Sequence, residues 1–182
     1  LSDLSKSDLL VLESGMMYFL PDKDASGRCV YVINPRIYFH LRRQGLVSVD
    51  NVLRAWWYAW MTMLCKNDEL QKRGMVIVMN AMGITMQSEL HESFDGNHKL
   101  FPSLPKSSIP KKTAAVHYCY DNQSLQPWIA SRKMYLYRVG TSYRTRAHYI
   151  PNNHSECLFK LQTYGIPVNE KNFPSDRKST RL

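Results

Sequence analysis

The chain has 182 residues, of which 44% are apolar and 12% aromatic, so its composition excludes a disordered protein and allows one domain with a sizeable core. No run of residues approaches the ~20 apolar positions that a membrane-spanning helix needs. Residues 106–182 carry 13 Lys and Arg against 4 Asp and Glu, whereas residues 1–105 are balanced, so the whole net charge of +9 lies in the C-terminal part. Such a one-sided basic field indicates either an anionic partner, such as a membrane surface, a phosphorylated headgroup or nucleic acid, or simply a soluble basic face.

The first quarter of the chain predicts one helix and a pair of strands. Residues 2–14 carry leucines at helical spacing, with serines that suit an N-cap. The apolar run 16–20 and the alternating run 28–33 flank a turn rich in Pro, Asp and Gly, which predicts a hairpin-like pair at one side of a sheet. We expect a loop with a short helical turn over residues 38–47.

Residues 48–79 are the most informative part of the sequence. Ser48 suits an N-cap, and the apolar residues that follow form a helical stripe too wide for a helix on a water-facing surface. The helix is expected to end at Gly74, and residues 75–79 are then apolar at every position. Such a run is typical of a strand that is buried on both faces of a parallel sheet, so the helix and strand together indicate an α/β protein.

The C-terminal half predicts a further alternation of strands and helices. After a loosely helical, polar stretch at residues 85–100, the expected elements are a strand at 114–120, a helix at 128–139, a strand at 144–150 and a last helix that ends at Gly165. We therefore predict an α/β fold with a roughly five-stranded, mostly parallel sheet covered by helices. A single domain would span residues 1–174, followed by a basic, disordered tail at 175–182.

The sequence contains no nucleophile elbow, phosphate loop, dinucleotide-binding glycine run or zinc-protease helix. His117 and His148 lie within predicted strands, where histidines usually have structural roles. The four cysteines lack C-x-x-C spacing and are expected to be reduced thiols; His117-x-Cys119 and His154-x-x-Cys157 are only weak signals for zinc. We expect no catalytic residue, no metal and no cofactor. An enzyme is the alternative if polar side chains gather around either strand histidine in one cleft.

Aromatic and methionine side chains exceed what a small sheet needs to cover itself. There are 4 Trp, 11 Tyr and 9 Met in the chain. Two interpretations compete: these side chains fill an ordinary core, or they line a cavity for a long apolar ligand between one sheet face and a helix.

The order of the elements resembles the lipid-binding lobe of the CRAL-TRIO family of lipid-transfer proteins. The resemblance covers about four fifths of the chain, from Gly27 to Pro174. Its pieces stand in family order: a first core strand at 27–32, the long helix and central strand at 49–64 and 74–83, a strand at 110–120, a helix at 126–137 in the place of the family's mobile gate helix, and the closing strand, helix and Ile-Pro segment at 145–150 and 156–174.

The resemblance implies a non-catalytic protein that binds a hydrophobic ligand, such as a phospholipid or an isoprenoid, in an apolar pocket and transfers it between membranes or presents it there. The ligand-binding residues would come from one sheet face and from the gate helix: Val76, Val78, Val116, Tyr118, Ala147 and Tyr149, with Trp128, Ile129, Met134 and Tyr137. The residues that would meet an anionic membrane or headgroup are Lys111, Arg132, Lys133 and Arg138.

The chain departs from the family pattern at several places, including the final Gly-Gly that the family has after the position of Pro174. Asn80 replaces the usual aspartate after the central strand, and Lys111 stands where phosphoinositide-binding members carry a glutamate, so phosphoinositide specificity is not implied. The helical lobe that precedes this one in the family is absent or was removed. Because the sequence starts at Leu1 rather than Met, we expect a fragment or a processed product.

We expect a cytoplasmic monomer that associates transiently with anionic membranes at their surface and does not bind nucleic acid. The competing hypothesis is a basic nucleic-acid-binding module that uses the C-terminal charge and its tyrosines. Affinity for RNA or DNA that falls steeply with salt, without copurifying lipid, would favour that hypothesis.

Overall fold

The computed structural model describes residues 3–84, 112–138, 144–151 and 153–174, without the side chains of residue 132 and residues 135–138. The helices are α1 (Lys6–Glu13), α2 (Pro35–Arg43), α3 (Val49–Lys66), α4 (Asp68–Arg73), α5 (Gln126–Arg138) and α6 (His154–Thr163). The strands are β1 (Met17–Phe19), β2 (Cys29–Ile33), β3 (Met75–Asn80), β4 (Thr113–Tyr120) and β5 (Arg144–Tyr149). A short 3₁₀ turn, Gln123–Leu125, leads into α5.

The five strands form one sheet in the order β1-β2-β3-β4-β5. β1 pairs antiparallel with β2, and every other neighbouring pair is parallel. The predicted α/β class, the hairpin-like first pair and the mostly parallel sheet are thus confirmed. β3 lies in the centre, and all its residues are buried except the half-buried Ile77, as the uniformly apolar run at residues 75–79 predicted.

Alternation of side chains gives the sheet two different faces. The first, called the aromatic face here, includes Tyr31, Met79 and Tyr118 and packs against side chains from α1 to α5. The second, called the valine face, includes Val32 and Val78 and packs against α6 and the segment after it. The strands from β2 onward follow one another across the sheet in a single direction, and right-handed crossovers then share a face. For this reason the helices that follow β2 and β4 all cover the aromatic face.

The structure differs from the prediction at residues 35–43, which form a complete helix, α2, instead of a loop with a short turn. Pro35 occupies the first turn, where a missing backbone N–H costs nothing. Tyr38, Phe39 and Leu41 are buried on the aromatic-face core. Basic residues fill the last turn, and their density in the sequence hid the amphipathic pattern.

The long helix predicted from residue 48 to residue 73 is two helices. Asn67 has an extended backbone, with φ −144° and ψ 90°, and separates α3 from α4. The side-chain amide of Asn67 donates a hydrogen bond to Sγ of Cys29 at 3.1 Å, so the break lies against the start of β2. The predicted start is confirmed, because Ser48 caps α3 in a reciprocal capping box.

A buried carboxylate ties α1 to α3. Asp8 is fully buried and accepts hydrogen bonds from the amide of Asn51 at 2.8 Å, from Nε and Nη2 of Arg54 at 3.2 Å and from the N–H of Ser5 at 2.8 Å. Burial raises the pKa of the Asp8 carboxyl, but these hydrogen bonds outweigh it and hold the pKa well below 3.8. The network fixes α1 so that its Val11 reaches the aromatic-face core.

The contact between Gly165 and Ala25 holds the end of α6 against the turn before β2. The N–H of Ala25 donates to the carbonyl of Gly165 at 2.9 Å, and Gly165 lies at φ +74°. A Cβ atom at residue 165 would lie 2.5 Å from the Cβ of Ala25, closer than real Cβ atoms approach one another. This position therefore requires glycine both for its backbone conformation and for the close contact.

Candidate functional site

Six of the ten predicted ligand residues come together on the aromatic face. The rings of Tyr118 and Trp128 meet edge to face, with centroids 6.1 Å apart and planes at 84°. α5 therefore covers β4, the place that the predicted gate helix would take. The cluster consists of four buried residues and two half-buried ones on β5: Val116, Tyr118, Trp128 and Ile129, with Ala147 and Tyr149.

The other two strand residues, Val76 and Val78, lie on the opposite side of the sheet. They pair in register with Ala115 and His117 of β4, and both valines belong to the valine-face core. The prediction that all six strand residues share one face was therefore wrong for these valines, and Ile77 takes their place on the aromatic face. The phase of β3 could not be read from the sequence because the strand is apolar at every position.

The described part of α5 has a buried and an exposed side. Trp128 and Ile129 are almost fully buried, whereas Met134 is 59% exposed and lies outside the cluster. Lys133 is half-buried. The prediction that Met134 lines the ligand site with the other gate residues is therefore not supported by its position.

Four predicted site residues lie wholly or by their side chains outside the part of the chain that the structure describes. They are the whole of Lys111 and the side chains of Arg132, Tyr137 and Arg138. The loosely helical stretch predicted at residues 85–100 and the tail predicted at residues 175–182 also lie outside the described residues. Their assigned roles stay predictions.

The helices that cover the aromatic face carry large apolar side chains on their outer surfaces. On α3, Trp57 is 39% exposed and Met61, one turn later, is 37% exposed. The neighbouring Trp56 instead packs inward on Trp60, with ring centroids 5.5 Å apart. The apolar stripe of α3 is thus only partly internal, although its width predicted a helix without a water-facing side. Met134 on α5 is a further exposed apolar side chain on a helix that covers the aromatic face.

The valine face contains a polar cluster whose assembly the sequence analysis missed. Nδ1 of His117 on β4 lies 2.9 Å from Nε2 of His148 on β5, and the two rings stack with centroids 5.2 Å apart. Tyr164, which follows α6, sets its ring 5.0 Å and 5.4 Å from the two histidine rings. The guanidinium of Arg146 lies over the Tyr164 ring at 4.6 Å. A signal was present, since both predicted strands contain a His-Tyr pair near their carboxyl ends.

Burial and nearby cations keep both histidines neutral. Desolvation is the largest cause that lowers the pKa of His117 to about 3, and the charges of His148 and Arg146 act in the same direction. Desolvation likewise lowers the pKa of His148 to about 4, with contributions from Lys160 and Arg146. Between neutral rings, one nitrogen donates the shared hydrogen bond and the other accepts it.

Two buried thiols lie next to the histidine pair. Cys119 pairs in register with His148, and both Cys119 and Cys157 are fully buried free thiols. A hydrogen bond with Cys157, together with burial, raises the pKa of the Cys119 thiol well above 9.0. Nε2 of His154 instead contacts the carbonyl of Phe173 at 2.9 Å. Within the described residues no three His, Cys, Asp or Glu side chains are arranged to hold a metal ion, so the two weak zinc half-sites do not combine there.

Among the helices that the structure describes, none has both the length and the apolarity of a membrane span. The sequence matches no protein-family model, and no curated protein matches it. The resemblance to the CRAL-TRIO family therefore remains a prediction.

Proposed function

We propose that the chain is a non-catalytic module that binds a hydrophobic ligand between the aromatic face and α5, and that it transfers or presents this ligand at a membrane surface. The observation that supports the proposal most strongly is the cluster under α5. Residues that the family resemblance assigned to a ligand site come from β4, β5 and α5 and lie in one group.

The margin of this cluster on β5 is the place where a ligand could enter. Val116 and Tyr118 on β4 are buried beneath the covering helices, whereas Ala147 and Tyr149 on the neighbouring β5 are only half-buried. A small outward movement of α5 would extend this apolar margin beneath Trp128. Each ligand methylene buried there contributes about 0.8 kcal/mol, so an acyl chain alone would supply most of the affinity.

The exposed apolar side chains on α3 and on α5 suit contact with a membrane. Trp57, Met61 and Met134 are exposed on two helices that cover the aromatic face. Tryptophan is favoured at the boundary between headgroups and acyl chains, exposed methionine adds apolar area, and nearby Lys133 would meet anionic lipid at about 1 kcal/mol per charge. A ligand that leaves from under α5 would then move directly into the membrane.

The histidine pair does not favour an enzyme. Polar side chains around a strand histidine were the condition for the enzyme alternative. The structure meets part of it, because His117, His148 and Tyr164 share one cluster. Yet a general base works best when its pKa lies near the working pH, and the pKa values of about 3 and about 4 lie far below neutrality. The adjacent Cys119 is held as a protonated thiol, which is a poor nucleophile.

A substitution that fills the β5 margin tests the proposal. Ala147→Phe places a ring at the half-buried position where the ligand would enter. Ala130→Phe places the same ring at an exposed position of α5. We expect lipid that copurifies with the wild type to be lost from A147F and retained by A130F, as measured by extraction and mass spectrometry. Equal lipid content in both variants would contradict a ligand site under α5.

A second test concerns the basic residues Arg132 and Lys133 of α5. R132E/K133E should weaken binding to anionic vesicles without changing the lipid content of the protein. If vesicle binding is unchanged, these residues do not contact the membrane. Membrane contact would then depend on the exposed Trp57, Met61 and Met134.

A further inference from the structure

The valine-face side of β5 carries a row of cations beside the histidine pair. In the parallel pairing, Arg144 lies beside Ala115 and Arg146 lies beside His117. Ala115 belongs to the valine-face core, and alternate residues of a strand point to the same face. Arg144, Arg146 and His148 therefore follow one another along this face, with Arg144 exposed and Arg146 half-buried.

Lys160 on α6 and Tyr164, which follows α6, lie beside this row. Tyr164 contacts both histidine rings and stacks under the guanidinium of Arg146. Lys160 lies one turn earlier on α6, is exposed, and is close enough for its charge to act on His148. Arg146 and Lys160 thus lie near Tyr164, whose ring packs against the two buried histidine rings, and Arg144 is exposed two residues before Arg146 on the same face of β5.

Some basic residues of the described chain have carboxylate partners. Arg28 pairs with Asp24 at 2.7 Å and Arg54 pairs with Asp8 at 3.2 Å. In the part of the chain that the structure describes, neither the β5 arginines nor Lys160 forms an ion pair. Their mutual repulsion is therefore left for an external anion to relieve.

We propose that the basic surface formed by β5 and the end of α6 binds a phosphomonoester dianion, held by Arg144, Arg146 and Lys160 around the Tyr164 ring. A dianion matches a site of three cations, and the arginine fork donates two parallel hydrogen bonds to phosphate oxygens. The site lies on the opposite side of the sheet from the proposed apolar site, so either can fail without the other.

The test uses calorimetric titration of the full chain with inorganic phosphate and with glycerol 3-phosphate, at constant ionic strength set by chloride. We expect R144Q/R146Q to bind at least tenfold more weakly than the wild type. Arg146 also packs on Tyr164, so K160Q serves as a second variant at an exposed position, with an expected loss of several-fold. The control K6Q/K66Q removes the same two charges from exposed positions on α1 and α3 and should bind as the wild type does.

A vesicle measurement separates a free phosphate ester from a lipid headgroup. Binding to phosphatidylcholine vesicles that contain phosphatidic acid, lost in R144Q/R146Q and K160Q, would assign the site to a lipid phosphomonoester; binding of the soluble ions would assign it to free esters. If the chain binds neither the soluble ions nor the vesicles, or if K6Q/K66Q weakens binding as much as R144Q/R146Q does, the proposal is overturned. Preference for a phosphodiester oligonucleotide, with steep salt dependence, would also overturn it and indicate a nucleic-acid surface.

Discussion

Nδ1 of His117 lies 2.9 Å from Nε2 of His148, so two neighbouring parallel strands share a side-chain hydrogen bond on a face that is otherwise mainly apolar. Both side chains are almost fully buried, at 2% and 3% exposure. The pair couples β4 to β5 unless both rings are protonated, because two imidazolium rings repel each other and neither has a nitrogen left to accept the hydrogen bond.

This pair predicts a loss of stability in mild acid. Both histidines have pKa values, about 3 and about 4, that lie below the ordinary 6.5, so the unfolded chain binds more protons between those limits. Their contribution to the free energy of unfolding is complete above pH 6.5 and is lost as the pH falls toward the folded-state pKa values. Each should remove roughly 2 kcal/mol between pH 7 and pH 5. Urea unfolding at both pH values should show a shallower pH dependence in H117Q/H148Q; an unchanged dependence would contradict a neutral pair.

Replacing Gly165 should cost more than replacing a glycine with the same backbone conformation in open space. Gly45 lies at φ +70° with nothing within 4 Å of the position that a Cβ atom would take, whereas Gly165 at φ +74° faces Ala25. We expect Gly45→Ala to cost about 1 kcal/mol and Gly165→Ala about 3 kcal/mol of unfolding free energy. A25G/G165A should recover most of the difference. Equal costs for the two single variants would show that the contact with Ala25 is unimportant.

The buried Asp8 should anchor α1. Asp8→Ala removes the acceptor of hydrogen bonds from Asn51 and Arg54, and we expect it to destabilise the protein by about 2 kcal/mol. Asp50→Ala, at an exposed position in the first turn of α3, should cost only a few tenths of a kcal/mol. Hydrogen exchange should speed up in α1 of the first variant and stay unchanged in the second. Equal protection of α1 from hydrogen exchange in the two variants would contradict an anchoring role for Asp8.

The apolar surface of α3 should contribute to membrane binding. W57Q/M61Q removes two side chains that are 39% and 37% exposed, and we expect vesicle partitioning to weaken by about tenfold or more. Phe159→Gln is the matched control, since Phe159 is 67% exposed on α6, which covers the opposite face. Sedimentation with liposomes measures both. An equal loss in the control would show that partitioning depends on exposed apolar area in general.

Much of the fold was predictable because its strongest signals are local. Turn chemistry before residue 28, the cap at Ser48 and the uniformly apolar β3 fixed the hairpin, the start of α3 and the central parallel strand. Two features were not predictable in this way. The basic last turn of α2 masked a helix, and the break at Asn67 depends on a contact with Cys29 that is distant in sequence.

The candidate sites were harder to predict than the fold because they depend on strand phase. A strand that is apolar throughout gives no information about which residues face which side, so Val76 and Val78 were assigned to the wrong face. The contact between His117 and His148 likewise requires the register of β4 against β5, and the position of Tyr164 requires the packing of α6. None of these relationships is local in the sequence.

The central claim, that the chain binds a hydrophobic ligand, is tested most directly by native mass spectrometry of the purified protein, followed by lipid extraction of the same sample. We predict an added mass at one ligand per chain and recovery of an apolar molecule of that mass in the extract. A bare chain that also takes up no lipid from vesicles would contradict the claim and would mean that the aromatic face is filled by its own side chains.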